Sequence, residues 1–210
     1  QVGKRSIDVL GVEKLKAATH RVIFDRIEAG TYIIAAALTN GRVKIINVEP
    51  KIMSTEISLL NKMKVKIIKR KNYIIVKSPK RIKSINATTK PYPGFPTDLQ
   101  AQLMVLMTRA DGISTIKENI FENRFMHIPE LRRMGAHIEI KGNKAKIFGN
   151  NKLNGAELIA TDLRASVCLV LAGLVASNKT IVNRIYHLDR GYEKIEKKLF
   201  NCGAQIKRLR

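Results

Sequence analysis

The sequence predicts an α/β (α+β) fold built from three βαβαββ units, with helices inside and sheets outside, and three observations predict it. First, a capping-type residue opens an apolar helical stretch three times, at DRIEAGTYIIAAALTNGRVKII from Asp25, TDLQAQLMVLMTRADGISTI from Thr97 and TDLRASVCLVLAGLVASNKTIV from Thr161. The spacing is roughly 65 to 70 residues. Second, each copy continues into a second helix and a closing strand, at EISLLNKMKVKII from Glu56, PELRRMGAHIEI from Pro129 and YEKIEKKLFNCGAQI from Tyr192. Third, the last two of these helices end on one signal, Met134-Gly135-Ala136 and Cys202-Gly203-Ala204, where glycine supplies the left-handed backbone that stops a helix. The first copy has Met63-Lys64 there, a degenerate version. A period this long is not that of a short-repeat solenoid, and the copies occupy about residues 23–88, 89–150 and 151–210.

In the first copy, Asp25 precedes the helix and Arg26 falls in its first turn. After the second helix, KMKVKII alternates Lys62, Lys64 and Lys66 with Met63, Val65 and Ile67, which predicts a strand with one lysine face. Arg70-Lys71-Asn72 has the character of a hairpin turn, and Lys141-Gly142-Asn143 occupies the equivalent place in the second copy. That second copy begins PYPGFPTDLQAQ, where three prolines and a glycine stiffen the approach to a helix. Thr97 and Gln100 fit a capping box, which puts Asp98 in the first turn. Asp98 has two readings: dipole stabilisation worth about 0.3 to 1 kcal/mol, or a carboxylate held by a rigid loop to accept a proton or bind a hydroxyl.

The segment IFENRFMHIPELRRMGAH carries Arg124 in a loop that Ile128-Pro129 ends, since proline disfavours helix before it and fits a first turn. Phe121 and Phe125 read as core aromatics and His127 as a hydrogen-bonded structural histidine. In the third copy Arg164 falls in the first turn of the fifth helix, and Arg190 opens the sixth just after Asp189. Cations there oppose the helix dipole. One such placement means little, but several point to convergence on an anion, and a molecule bearing both carboxylate and phosphate suits guanidinium forks.

Composition bounds the function classes. The chain has 210 residues, 45% of them apolar, enough for a real core. Runs such as VCLVLAGLVA fall short of the roughly 20 residues a membrane span needs, and no signal peptide is recognisable, so a cytoplasmic protein is expected. Cys168 and Cys202 lack CxxC spacing, which argues against a metal site or disulfide framework and for buried, reduced thiols. The formal charge is +22, with ten Lys or Arg and no acid between Lys62 and Lys83. A nucleic-acid surface would interleave aromatics for stacking, but these are only 5% of the chain. A solvated lysine face is expected instead, with a basic nucleic-acid-binding module as the competing reading. The first residue is Gln1 and the opening twenty residues offer only a strand and a connector, so the chain reads as part of something longer.

Taken together, PGFPTDLQAQ, FENRFMHIPELRRMGAH, ATDLRAS, RIYHLDRGYEKIE and DRIEAGTYIIAAA closely resemble the UDP-N-acetylglucosamine 1-carboxyvinyltransferases of the enolpyruvyl transferase superfamily. The resemblance runs in order across essentially the whole chain; the shikimate-pathway members share the architecture but not this wording. It implies two inside-out α/β domains of three βαβαββ units each, with substrate between them. Residues 1–22 would then be a stub of the N-terminal domain and a connector, and 23–210 the C-terminal domain. The implied reaction moves the enolpyruvyl group of phosphoenolpyruvate onto the 3-hydroxyl of UDP-N-acetylglucosamine, by addition and then elimination, with no cofactor and no metal. Matching motifs carry the catalytic roles to Asp98, as the candidate base, and Arg190. They carry substrate binding to Asp98, Thr97, Ile120 (the sugar nucleotide), and Arg124, Arg164 and Arg190 (phosphoenolpyruvate). The implied partner is an N-terminal half bearing a lysine, an asparagine and a loop cysteine that this chain lacks, without which it would be inactive; a decayed remnant is the remaining alternative.

Overall fold

The computed structural model describes residues 6–209. Asp25 caps the first helix, α1 (Arg26–Leu38), its carboxylate accepting from the backbone N–H groups of Ile27 and Glu28. Then follow β1 (Arg42–Ile46), α2 (Ser54–Lys62), β2 (Lys66–Lys69) and β3 (Tyr73–Lys77). These strands form an antiparallel sheet ordered β1-β3-β2, in which the β2–β3 hairpin turns through residues 70–72. The second unit runs β4 (Ile82–Lys83), β5 (Asn86–Thr88), α3 (Gln100–Thr108), β6 (Ala110–Asp111), β7 (Ile113–Lys117), α4 (Ile128–Arg133), β8 (Ile138–Lys141) and β9 (Lys144–Phe148). It starts a few residues ahead of the expected boundary at 89, because residues 86–88 pair with its own β7. Its main sheet is ordered β5-β7-β9-β8, with β5 parallel to β7 and the other pairs antiparallel. The third unit contains β10 (Glu157–Ile159), α5 (Leu163–Gly173), β11 (Ile181–Asn183) and α6 (Ile195–Asn201), and β10 pairs with β11 in parallel.

The full βαβαββ order is seen in the second unit. In the first, no strand of a sheet precedes α1 among the described residues, and in the third none follows α6. A closing strand needs a hairpin partner, as β8 has in β9, and residues 204–209 pair with none among the described residues. The lysine strand is also shorter than its alternation predicts. Lys62 ends α2, Lys64 lies in the left-handed region at φ 72°, and pairing begins at Lys66.

α1, α3 and α5 form the interior, α3 packing against both of the others. Every residue of α3 is buried, which is why QAQLMVLMT has no polar face: a helix apolar all round belongs in a core. Leu103 and Leu106 are fully buried there, and truncating such a leucine costs about 2 to 5 kcal/mol. The three outer helices stop alike. Val65, Ala136 and Ala204 donate their N–H groups to the carbonyls of Leu60, Leu131 and Leu199, each five residues back. The residues before them, Lys64, Gly135 and Gly203, all have positive φ. This is the Schellman arrangement, so the degenerate lysine makes the same stop as the two glycines. Of the cysteines, Cys168 is buried in α5, whereas Cys202 is exposed because it sits past the end of α6.

Candidate active site

Asp98 lies in a 3-10 turn (Thr97–Leu99) that leads into α3. No capping box forms. Thr97 occupies the first position of that turn, where its hydroxyl reaches across to donate to Glu118 Oε2 at 2.9 Å. The Gln100 amide is buried, with no hydrogen-bond partner among the described residues. What fixes Asp98 from below is Gln102, one helical turn on: its Nε2 donates to the Asp98 carbonyl at 3.0 Å and to Thr31 Oγ1 at 3.3 Å. Thr31 in turn is 2.8 Å from the Tyr192 hydroxyl. Burial raises the Tyr192 pKa above its ordinary value, so the phenol stays neutral.

Two arginines hold the Asp98 side chain. Arg124 Nη2 is 2.8 Å from Oδ1 and Arg164 Nη2 is 2.9 Å from Oδ2. Arg124 comes from the loop after β7, where its guanidinium also lies over the Phe121 ring at 4.9 Å. Phe121 is thus no core aromatic; it is 56% exposed, while Phe125 packs on the core as expected. Arg164 stands in the first turn of α5, capped not by Thr161 but by Asp162, whose Oδ1 accepts from Arg164 N and Ala165 N. Arg164 opposes the helix dipole, and the carboxylates of Asp98 and Asp162 offset it.

Arg190 lines the same cleft, a space of about 480 Å³ that also includes Asp98, Phe121, Arg124, Asp162 and Arg164. It does not open the sixth helix; it ends a 3-10 turn (Ile185–Arg190), and α6 starts at Ile195. Gly191 follows the turn and lies against Leu163 at the start of α5, where a Cβ would come within 2.8 Å of the leucine side chain. That close approach brings Arg190 to the cleft, where it forms no ion pair among the described residues. Ile120 is 40% exposed, next to Phe121 but outside the cleft's lining. Arg26, by contrast, is engaged elsewhere, paired with the buried Glu56 and lying over the Tyr92 ring.

His127 forms part of the cleft floor, with Nε2 3.3 Å from Met104 Sδ. Burial, with a smaller contribution from the Arg124 charge, lowers its pKa to about 4, so the ring is neutral near pH 7. Burial also raises the Cys168 thiol well above its ordinary range, leaving it a poor nucleophile. Among the described residues no group of three or more His, Cys, Asp or Glu is arranged to hold a metal, and no helix is long and apolar enough to cross a membrane. A larger cleft of about 1320 Å³ lies between residues 21–24 and the first unit, but none of the candidate site residues lines it. Sequence reasoning missed Gln102 and Tyr192, which bond across units, and Glu118, which bonds across segments of the second unit; none leaves a signature in spacing.

The same architecture occurs in solved structures. The enolpyruvyl transferase NikO from Streptomyces tendae superposes with a TM-score of 0.81 at 28% identity, over 89% of this chain and 44% of that one. EPSP synthase from Acinetobacter baumannii gives 0.74 at 17% identity, over 90% and 48%, a likeness of fold. Curated relatives named UDP-N-acetylglucosamine 1-carboxyvinyltransferase are 61% identical in Pelagibacter ubique, over 98% of this chain and 49% of the relative. In Geotalea uraniireducens the identity is 55%, over 99% and 50%. The chain therefore spans about half the length of the curated relatives it matches. The family model described as EPSP synthase (3-phosphoshikimate 1-carboxyvinyltransferase) matches residues 1–199, and the chain belongs to that family.

Proposed function

We propose that this chain forms one wall of an active site that transfers the enolpyruvyl group of phosphoenolpyruvate to the 3-hydroxyl of UDP-N-acetylglucosamine. In this reading residues 1–22 belong to the connection with the other half, and the chain is inactive without it. The observation that carries the reading is Asp98 suspended between Arg124 and Arg164, with Arg190 in the same cleft. One carboxylate pairs with two guanidiniums, leaving the cluster positively charged. An incoming phosphoenolpyruvate, bearing carboxylate and phosphate, competes for those same forks. As the arginines turn to the anion, Asp98 is released towards the sugar hydroxyl and takes its proton as the oxygen attacks C2 of phosphoenolpyruvate, while the electron pair of the C2=C3 double bond takes up a proton at C3 from an acid of the other half. In the elimination step C3 gives its proton back, the C2=C3 double bond re-forms and the C2–O bond to phosphate breaks, with the arginines holding the phosphate as it leaves, so charge is stabilised where it develops. The identity to relatives named for the sugar-nucleotide reaction supports UDP-N-acetylglucosamine over 3-phosphoshikimate as acceptor.

The test is phosphate release from phosphoenolpyruvate when the chain is combined with the N-terminal half of the Pelagibacter ubique relative. Release that depends on UDP-N-acetylglucosamine and is abolished by Asp98→Asn is expected. Release unaffected by that substitution would remove Asp98 from the chemistry, and release supported by 3-phosphoshikimate instead would overturn the acceptor.

A second reading has one specific observation behind it. Arg42, Lys77 and Lys66 stand abreast across β1-β3-β2, a like-charge row that is unfavourable alone and that a polyanion would relieve. Retention on DNA that falls steeply with salt would support it, and no retention at moderate salt would dismiss it.

A further inference from the structure

We infer that Glu118 is a positioning residue for this site, coupling the turn that carries Asp98 to the loop that carries Ile120, Phe121 and Arg124. The inference rests on the proposed reading of the cleft. Glu118 follows β7 and is 3% exposed. Its Oε1 accepts from Thr89 Oγ1 at 2.7 Å, from Ile120 N at 2.8 Å and from Phe121 N at 3.1 Å. Its Oε2 accepts from Thr97 Oγ1 at 2.9 Å. No cation pairs with it among the described residues. A charge taken out of water persists only when its lone pairs are satisfied, and here four donors do this from three places: the end of β5, the turn and the loop.

The division between the two oxygens matters. One gathers the loop, together with Thr89 at the end of β5, and the other takes the turn, so the carboxylate sets the separation between loop and turn. Asp98 is the neighbour of Thr97, and Arg124 follows Phe121 by three residues, so this separation is what leaves Arg124 Nη2 2.8 Å from Asp98 Oδ1. Glutamine keeps the reach, with one oxygen for the loop and an amide that can donate to the Thr97 hydroxyl. Alanine removes both links.

The experiment has two arms. In the first, turnover is measured in the chain combined with the relative's N-terminal half. A misplacement of about 1 Å costs about 100-fold, so Glu118→Ala should lower kcat/KM by about that factor. Glu118→Gln should stay within about tenfold of the unsubstituted protein, because neutral hydrogen bonds replace charged ones of somewhat greater strength. Faster amide exchange in Glu118→Ala with kcat and KM unchanged would overturn the inference, leaving a structural role only. In the second arm, amide exchange is followed in the chain by itself carrying Thr97→Val. Coupling predicts about tenfold faster exchange at Ile120 and Phe121, which Thr97 does not bond, from the loss of one hydrogen bond worth about 1.4 kcal/mol. Unchanged exchange there would overturn the coupling whatever the turnover assay shows. Absence of turnover in the unsubstituted protein would sink the proposed function instead, with the coupling still decided by this second arm.

Discussion

Asp98→Asn should tighten anion binding while it abolishes turnover, a pairing that an ordinary binding residue would not give. The carboxylate occupies two guanidiniums, with contacts of 2.8 and 2.9 Å, and any anionic ligand must displace it. The aspartate side chain is 39% exposed and its partners 21% and 18%, so solvent screens both pairs and each is worth about 1 kcal/mol at most. Asparagine keeps the shape and a carbonyl acceptor but removes the charge. Relief of two such pairs strengthens phosphate or phosphoenolpyruvate binding by about 1 to 2 kcal/mol, or roughly 5- to 30-fold. Titration calorimetry of the isolated chain with each anion, at low and moderate salt, reads this directly, and the gain should shrink as salt rises. Weaker binding to the asparagine variant would refute the reasoning, because it would mean that the carboxylate holds the arginines in place and does not compete for them.

Three further outcomes are expected. Burial holds His127 at a pKa of about 4 against an ordinary 6.5. The unfolded chain therefore takes up a proton that the folded chain refuses between those values, and stability present above pH 6.5 is lost by about 3 kcal/mol on the way down to pH 4. Urea melts across that window should show this slope in the parent chain and a flatter one in His127→Leu. Lys64→Gly should stabilise by about 1 kcal/mol, raising Tm by about 2 to 4 °C, since it relieves a left-handed lysine at φ 72°; a lower Tm would show that lysine is at ease there. Arg26→Met leaves the Glu56 carboxylate, 2% exposed, without its cation and should cost about 3 kcal/mol in denaturant melts, most of it recovered by adding Glu56→Gln.

The three-unit plan was legible because burial imposes a pattern on sequence. An interior helix such as α3 must be apolar on every side, and a Schellman stop asks for glycine at one position. The site was legible only in part. Asp98, Arg124, Arg164 and Arg190 stand in motifs, but which of them touch is decided by packing between units. Spacing alone placed Arg26 beside Arg164 as an equal, although a buried glutamate from α2 claims it. Thr97 and Gln100 match a capping box by type, yet the turn ahead of α3 is 3-10 and Glu118 offers the hydroxyl a better acceptor. Arg190 seemed to begin a helix because Gly191, which lets the chain approach Leu163, is silent in helical periodicity.

The buried cluster of Thr31, Gln102 and Tyr192 has a consequence for how such a molecule can change over time. Chains made of repeats commonly gain or lose copies, since each copy meets only its neighbours. Here the first, second and third copies each contribute one polar group to a single shared node. Deleting any copy would take one partner from each of the other two groups, at a cost of about 0.5 to 1.5 kcal/mol for each bond lost. The node therefore ties each copy to both of the others, and change costs least in the loops at the rim, which take no part in it.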